Sequence, residues 1–175
     1  MKKIALFVVV AFVMLGVVAW AEGQAPVVEG LRGENKKIEI SEVPEKFMTV
    51  AKKAVPGAAW THAQINYDLG KHESLVVYEI TGKKEGTEVE VDVRADGSIQ
   101  EIEEVIDVKD VPKPVIGLLH SEYPDFKIKQ AERSTRPYRN GNKVIWYELK
   151  GTTKQGATID VEITEDSKYY IVEAD

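Results

Sequence analysis

This chain repeats itself. Val43-Pro44 and Pro56-Gly57 return as Val111-Pro112 and Pro124-Asp125 at an offset of 68 residues. Tyr78-Glu79-Ile80-Thr81-Gly82 matches Tyr147-Glu148-Leu149-Lys150-Gly151 at 69, and Glu88 to Val93 matches Thr158 to Ile163 at 70. Two one-residue insertions account for the drift. A pattern written twice at this spacing calls for one small unit used twice, each copy needing an apolar face to bury.

Each copy opens with a helix signal. Pro at or near the first helical position loses an N–H that would be unpaired there anyway, and a second Pro ends the run. Phe47, Val50, Ala51 and Ala54 recur at helical spacing, as do Val115, Leu118 and Leu119 in the second copy, so each helix carries one apolar stripe to lay on a sheet. Runs of strand period follow at 59–67, 75–81, 87–94 and 99–105, with Asp96-Gly97 as a hairpin signal. In the second copy they fall at 126–131, 143–150, 158–164 and 169–173, separated by Asn140-Gly141-Asn142 and Gln155-Gly156. The expectation is an α+β fold of two tandem modules, 42–107 and 108–175, each one helix packed on a four-stranded antiparallel sheet. The sheet face away from each helix is left for solvent or a partner.

The N-terminus reads as a targeting segment. Lys2 and Lys3 precede an apolar run from Ile4 to Ala19, and Ala19-Trp20-Ala21 offers small residues where a signal peptidase cuts. About 16 apolar residues fall short of a comfortable membrane span. Residues 1–21 are therefore expected to be a cleaved signal peptide, giving a periplasmic or secreted protein with no membrane attachment after cleavage. Residues 22–41 read as a linker whose Ile38-Glu39-Ile40 can pair as an edge strand. There is no cysteine, so neither a disulfide nor a lipid-modified cysteine is available. Cleavage takes the formal charge from −6 to −8, which disfavours nucleic acid as a partner. The imbalance is local: 42–111 holds 8 Lys and Arg against 15 Asp and Glu, while 112–175 holds 10 of each.

Signal peptide, doubled Val-Pro helix, Tyr-Glu-Ile/Leu-x-Gly strand and acidic-alternating strand together resemble the PepSY-like family, also described as β-lactamase-inhibitor-like. The resemblance spans Glu42 to Asp175 and rests on Val43-Pro44, Pro56-Gly57, Tyr78-Glu79, Val89 to Val93 and Asp96-Gly97. It implies an exported, tandem α+β protein whose sheets present a surface to another protein. The disulfides of the inhibitor that names the family have no counterpart here, and its contact loops match nothing in this chain.

Catalytic motifs are missing. His62, His72 and His120 show no HxxxH or HExxH spacing, and there is no GxSxG, no phosphate-cradling glycine loop and no cysteine nucleophile. The chain is read as non-enzymatic, with no cofactor. Glu88, Glu90 and Asp92 place carboxylates about 7 Å apart on one sheet face. That arrangement is either a solvated face that discourages edge pairing or a weak divalent-cation site. Alternation along 144–149 puts Ile145, Tyr147 and Leu149 on the helix side and Trp146 with Glu148 on the other. Trp146 and Glu148, with Lys127 and Lys129 on the neighbouring segment and a loop bearing Arg136, Tyr138 and Arg139, have the composition of a protein contact. Packing of Trp146 against the other module is the alternative, and Trp60 is assigned to the first core. The functional expectation is a binding or inhibitory module of the cell envelope with a protein partner, the alternative being an acidic divalent-cation-binding protein.

Overall fold

The computed structural model describes residues 27–29, 34–69, 74–138 and 141–174. Residues 1–21, expected to be a signal peptide, lie outside them. The described residues form β1 (Val27–Glu29), β2 (Glu34–Ile38), α1 (Glu45–Ala54), β3 (Ala59–Leu69), β4 (Ser74–Lys84), β5 (Thr87–Arg94), β6 (Ile99–Ile106), α2 (Lys113–Glu122), β7 (Lys127–Pro137), β8 (Lys143–Thr152), β9 (Thr158–Thr164) and β10 (Tyr170–Ala174). A short 3-10 turn precedes each helix, at Ile40–Glu42 and Val108–Asp110. No helix among the described residues is long and apolar enough to cross a membrane.

All ten strands belong to one sheet, in the order β1-β10-β9-β8-β7-β6-β5-β4-β3-β2. Every pairing is antiparallel except that of β1 with β10. The expectation of an α+β fold of two modules, each one helix on its own four-stranded sheet, is therefore overturned: the described residues are mostly β, one continuous sheet with two α-helices. β6 and β7 pair from Ile102 opposite Thr135 to Ile106 opposite Ala131, so the last strand of one half and the first of the other share a ladder. Left apart, each would expose a row of unpaired N–H and C=O groups; together they satisfy them. Pairing with β6 as far as Thr135 and with β8 as far as Pro137 carries β7 six residues beyond the expected end. The supposed linker contributes a strand to each edge, β1 beside β10 and β2 beside β3.

The helices follow from their sequence. Pro44 and Pro112 cap them at the N-terminus, and the N–H groups of Val55 and Tyr123 close them onto the carbonyls of Ala51 and Leu119. Phe47, Met48 and Ala51 of α1 bury against Ile80, Val89, Val91 and Val93, with Trp60, Tyr78 and Ile102 partly buried around them. Val115 and Leu119 of α2 bury against Ala131, Tyr147, Leu149, Val161 and Ile163. Each fully buried Leu or Ile contributes about 1.5–3 kcal/mol. Ile102 and Ile106 sit on the same side of β6, one in each cluster, so both helices cover one face of the continuous sheet.

Close backbone approach explains the glycine that ends each Tyr-Glu-x-x-Gly strand. Bulges between Trp60 and His62 and between Ile128 and Gln130 press β3 and β7 onto their neighbours. A Cβ on Gly82 would meet the Ala59 carbonyl oxygen at 2.6 Å, and one on Gly151 would strike the Phe126 ring at 2.7 Å as well as the Lys127 carbonyl.

The sheet is curled. β1 and β2 occupy opposite edges yet are separated in the chain only by residues 30–33. So short a segment bridges roughly 18 Å, whereas ten strands laid flat at about 4.8 Å spacing put the edges roughly 43 Å apart. The direction of the curl is set by burial. No described element covers the face opposite the helices, yet Asp92, Glu101, Glu132, Ser134 and Thr164 on it are buried. Side chains on an uncovered face lose water by crowding one another, so that face is the concave one.

Gly82→Ala and Gly151→Ala are expected to destabilise the fold by about 1–3 kcal/mol each, as overpacking does. Gly117→Ala, in α2 with open space where the Cβ goes, is expected to stabilise it by about 0.5–1 kcal/mol. Urea unfolding of the three variants checks both directions.

Candidate functional site

Strand registers bring the acidic side chains of the concave face into rows. Asp92 stands opposite Glu79 on β4 and Glu101 on β6; Glu90 stands opposite Thr81 and Glu103. Glu132 on β7 faces Glu148 on β8, which faces Glu162 on β9. Like charges directly across a pair repel, and most of these carboxylates hold specific donors that offset it. Gln64 and Asn66 both donate to Glu79, and Thr81 Oγ1 donates to Glu90 Oε2 at 2.5 Å. Arg136 spans two strands, with Nε 2.7 Å from Glu101 Oε1 and Nη2 2.6 Å from Glu162 Oε2, while Ser134 donates to Glu101. Lys150 Nζ lies 3.1 Å from Glu132 Oε2 and 3.4 Å from Glu148 Oε1, and Gln130 also donates to Glu132.

Asp92 is nine-tenths buried and its Oδ1 has no hydrogen-bond partner. Glu103 lies among other acids, with the Lys150 ammonium as a neighbouring cation. Burial, with Glu90, Glu79 and Glu101 around it, holds Asp92 well above the usual carboxylate range. Burial, then Glu101, Glu148, Asp92 and Glu90, pushes Glu103 up to about 10. Glu148 is pushed up to about 7, chiefly by burial with Lys150 pulling the other way. Glu90 and Glu162 are raised as well, burial again leading.

One end of the concave face is aromatic. Trp146 projects from β8 with the Arg136 guanidinium over its ring, 5.0 Å from the centroid, a favourable cation–π distance. A groove of about 310 Å³ opens beside it, lined also by Tyr138, Lys143, Val144, Thr164 and Tyr169. Tyr138 and Tyr169 are 57% and 53% exposed.

The residues singled out in the sequence are only partly brought together. Trp146 and Glu148 do lie on the face away from the helices, with Tyr147 and Leu149 in the core. Arg136 belongs to β7 rather than to a loop, and Tyr138 follows it into the aromatic groove. Lys127 and Lys129 do not join them. Both are exposed at the far end of β7, and Trp146 pairs with Ser134, roughly 20 Å from Lys127 along the strand. Arg139 lies outside the described residues, as does His72. His62 and His120 are exposed on β3 and α2. Trp60 packs against the first core.

Glu88, Glu90 and Asp92 were expected as a solvated row or a weak metal set. Glu88 is exposed, but Glu90 is half-buried and Asp92 buried. Among the described residues the acids whose oxygens converge are others, Glu103, Glu132 and Glu148, all within 4.8 Å of one another. Lys150 already sits beside two of them, where its ammonium does the neutralising. Sequence alternation within one strand identifies the face, but convergence across β6, β7 and β8 depends on register.

The chain matches no protein-family profile, and no curated protein is similar to it in sequence. Among solved structures it is similar to a DUF2874 family protein from Bacteroides uniformis ATCC 8492, with 16% identity, 70% of this chain and 83% of that chain covered, and a TM-score of 0.50. A BLIP-like protein from Bacteroides fragilis NCTC 9343 aligns with 19% identity over 71% of this chain and 80% of that chain, with a TM-score of 0.49. At such identities the likeness to the first is one of fold alone.

The raised carboxyls fix the sign of the pH dependence. Glu103 and Glu148 keep protons in the folded chain that they release near their ordinary value of 4.5 when unfolded. The folded state thus binds more protons between 4.5 and about 10, or about 7 for Glu148, and stability falls as pH rises through that window. The melting temperature is expected to drop between about pH 5 and about pH 8. Glu103→Gln is expected to flatten the slope and raise the value at the higher pH, by about 2–4 °C per kcal/mol recovered. A melting curve without that slope contradicts the burial of these acids.

Proposed function

We propose that this chain is a non-enzymatic, exported binding module of PepSY-like type that holds a protein partner on the concave face of its sheet. The observation that carries the reading is the aromatic groove. Trp, Tyr and Arg are the residues enriched where binding energy concentrates in protein interfaces. Here Trp146, Tyr138, Tyr169 and Arg136 gather at one end of a face that no described element covers.

Their geometry suits an anchor. Trp146 is held by Arg136, which is itself clamped between Glu101 and Glu162, so little side-chain freedom is lost on contact. Tyr138 and Tyr169 offer large surface with a polar tip for few rotatable bonds. Concavity lets a convex partner surface touch several strands at once. Export rests on the charged and apolar pattern of residues 1–21, and the site of action is the periplasm or the medium outside the cell.

Affinity capture from envelope extract with the mature chain, residues 22–175, tests the reading. A partner retained by the wild type is expected to be lost by Trp146→Ala and by Tyr138→Ala, each weakening binding by about tenfold or more. Equal retention by these variants, with their fold intact by circular dichroism, removes the groove from the interface.

A further inference from the structure

The aromatic groove occupies only one end of the concave face. Further along lies a polar pocket of about 250 Å³ between β3, β5, β6, β7 and β8, lined by Gln64, Glu88, Glu90, Glu103, Gln130 and Glu132, with Lys150 at its side. Its walls are almost wholly hydrogen-bonding groups, and the carboxyls outnumber the cations. Asp92 stands just beyond it on the same face, next to Glu90 along β5, with a buried oxygen that no donor reaches. A buried acceptor without a partner forfeits the hydrogen bonds it makes with water when exposed. A donor brought by a partner is one way to restore them.

We propose that the concave carboxylate face is the docking surface for a basic protein segment, whose Lys or Arg side chains enter this pocket and meet the carboxyls of Glu90, Glu103 and Glu132, with Asp92 next along the same face. The inference rests on the protein-binding reading above and specifies the chemistry of the partner. Charge complementarity selects the occupant. The acids are spread over the six strands β4 to β9, at neighbouring-strand spacings of about 4.8 Å, which suits cations distributed along a chain. A single metal ion is a poorer match, because Lys150 already places an ammonium between Glu132 and Glu148. Arg and Lys carry several N–H donors each and no acceptor, so they meet carboxyl oxygens without adding unpaired lone pairs. Arrival of a cation also offsets the like-charge crowding that, together with burial, holds Asp92 and Glu103 protonated.

The probe is a synthetic peptide of alternating lysine and glycine, with its glutamate counterpart as control, titrated by calorimetry into the mature chain. Binding of the lysine peptide alone is expected, weakening several-fold between about 50 mM and about 200 mM salt as screening shortens. Asp92→Asn and the pair Glu90→Gln with Glu103→Gln are expected to weaken it about tenfold. A control with two carboxyls changed at exposed sites elsewhere, Glu45→Gln with Asp125→Asn, is expected to change it less than about twofold. Equal losses in face and control variants mean attraction to net charge only and overturn the proposal. So does a wild type that ignores the peptide, or one that binds Ca²⁺ or Zn²⁺ through the same acids and then excludes it. If the peptide fails while the groove still captures a partner lost in Trp146→Ala, the binding reading stands and the basic partner is wrong. If both fail, the binding reading itself falls. The substitutions alter a crowded face, and melting curves confirm that the variants fold.

Discussion

Everything distinctive about this molecule depends on the hydrogen-bonded ladder between β6 and β7. Those two strands end one half of the chain and begin the other, with α2 crossing between them. By pairing, they turn what could be two small sheets into one, place α1 and α2 on the same side, and align the opposite faces of both halves into a single surface. Without the ladder Glu101 and Glu103 would have no Ser134, Arg136 or Glu132 beside them, and the acid-rich face would be two unconnected edges.

Curvature then converts that surface into a site. The edge strands β1 and β2 come from one short stretch of chain, which draws the two ends of the sheet toward each other and hollows the uncovered face. Crowding on the hollow side takes water away from carboxyls that a flat sheet would leave solvated. The outcome is a surface with charge repulsion partly quenched by Arg136 and Lys150 and partly by retained protons. Such a surface is costly to keep empty, and that cost is what a complementary partner would recover. The aromatic groove at one end adds apolar surface to a face otherwise dominated by charge, the two belonging to neighbouring but separate groups of residues.

Much of the local structure was legible. β5 and β9 occupy the expected residues because strict alternation of apolar and acidic side chains has period two and hairpin turns bound it. The helices start at the expected prolines, and Phe47, Ala51, Val115 and Leu119 face the core as their spacing requires. β7 was read short because its second half, Glu132 to Pro137, carries no apolar alternation: Glu132, Ser134 and Arg136 point to the polar hollow, while Arg133 and Thr135 bring no large apolar side chain to the other side. Hydrophobic patterning detects strands that bury one oily face, and this segment is held instead by ladders on both sides and by ion pairs. The same blindness put Arg136 in a loop and Lys127 beside Trp146, since a bulge and a register cannot be counted from residue types.

Sequence alone determined the elements and which side of each strand is apolar, because those follow from covalent geometry and from the free energy of removing hydrocarbon from water residue by residue. It also determined that the chain carries excess acid in its first half and an outward-facing tryptophan in its second. Only the tertiary structure decided that the halves share one sheet, that the sheet is hollow, and that Asp92 keeps a buried oxygen without a donor while Arg136 and Lys150 are already engaged. Those outcomes depend on strand order, register and curvature, which are collective properties of backbone pairing between residues far apart in the chain, and no local pattern encodes them.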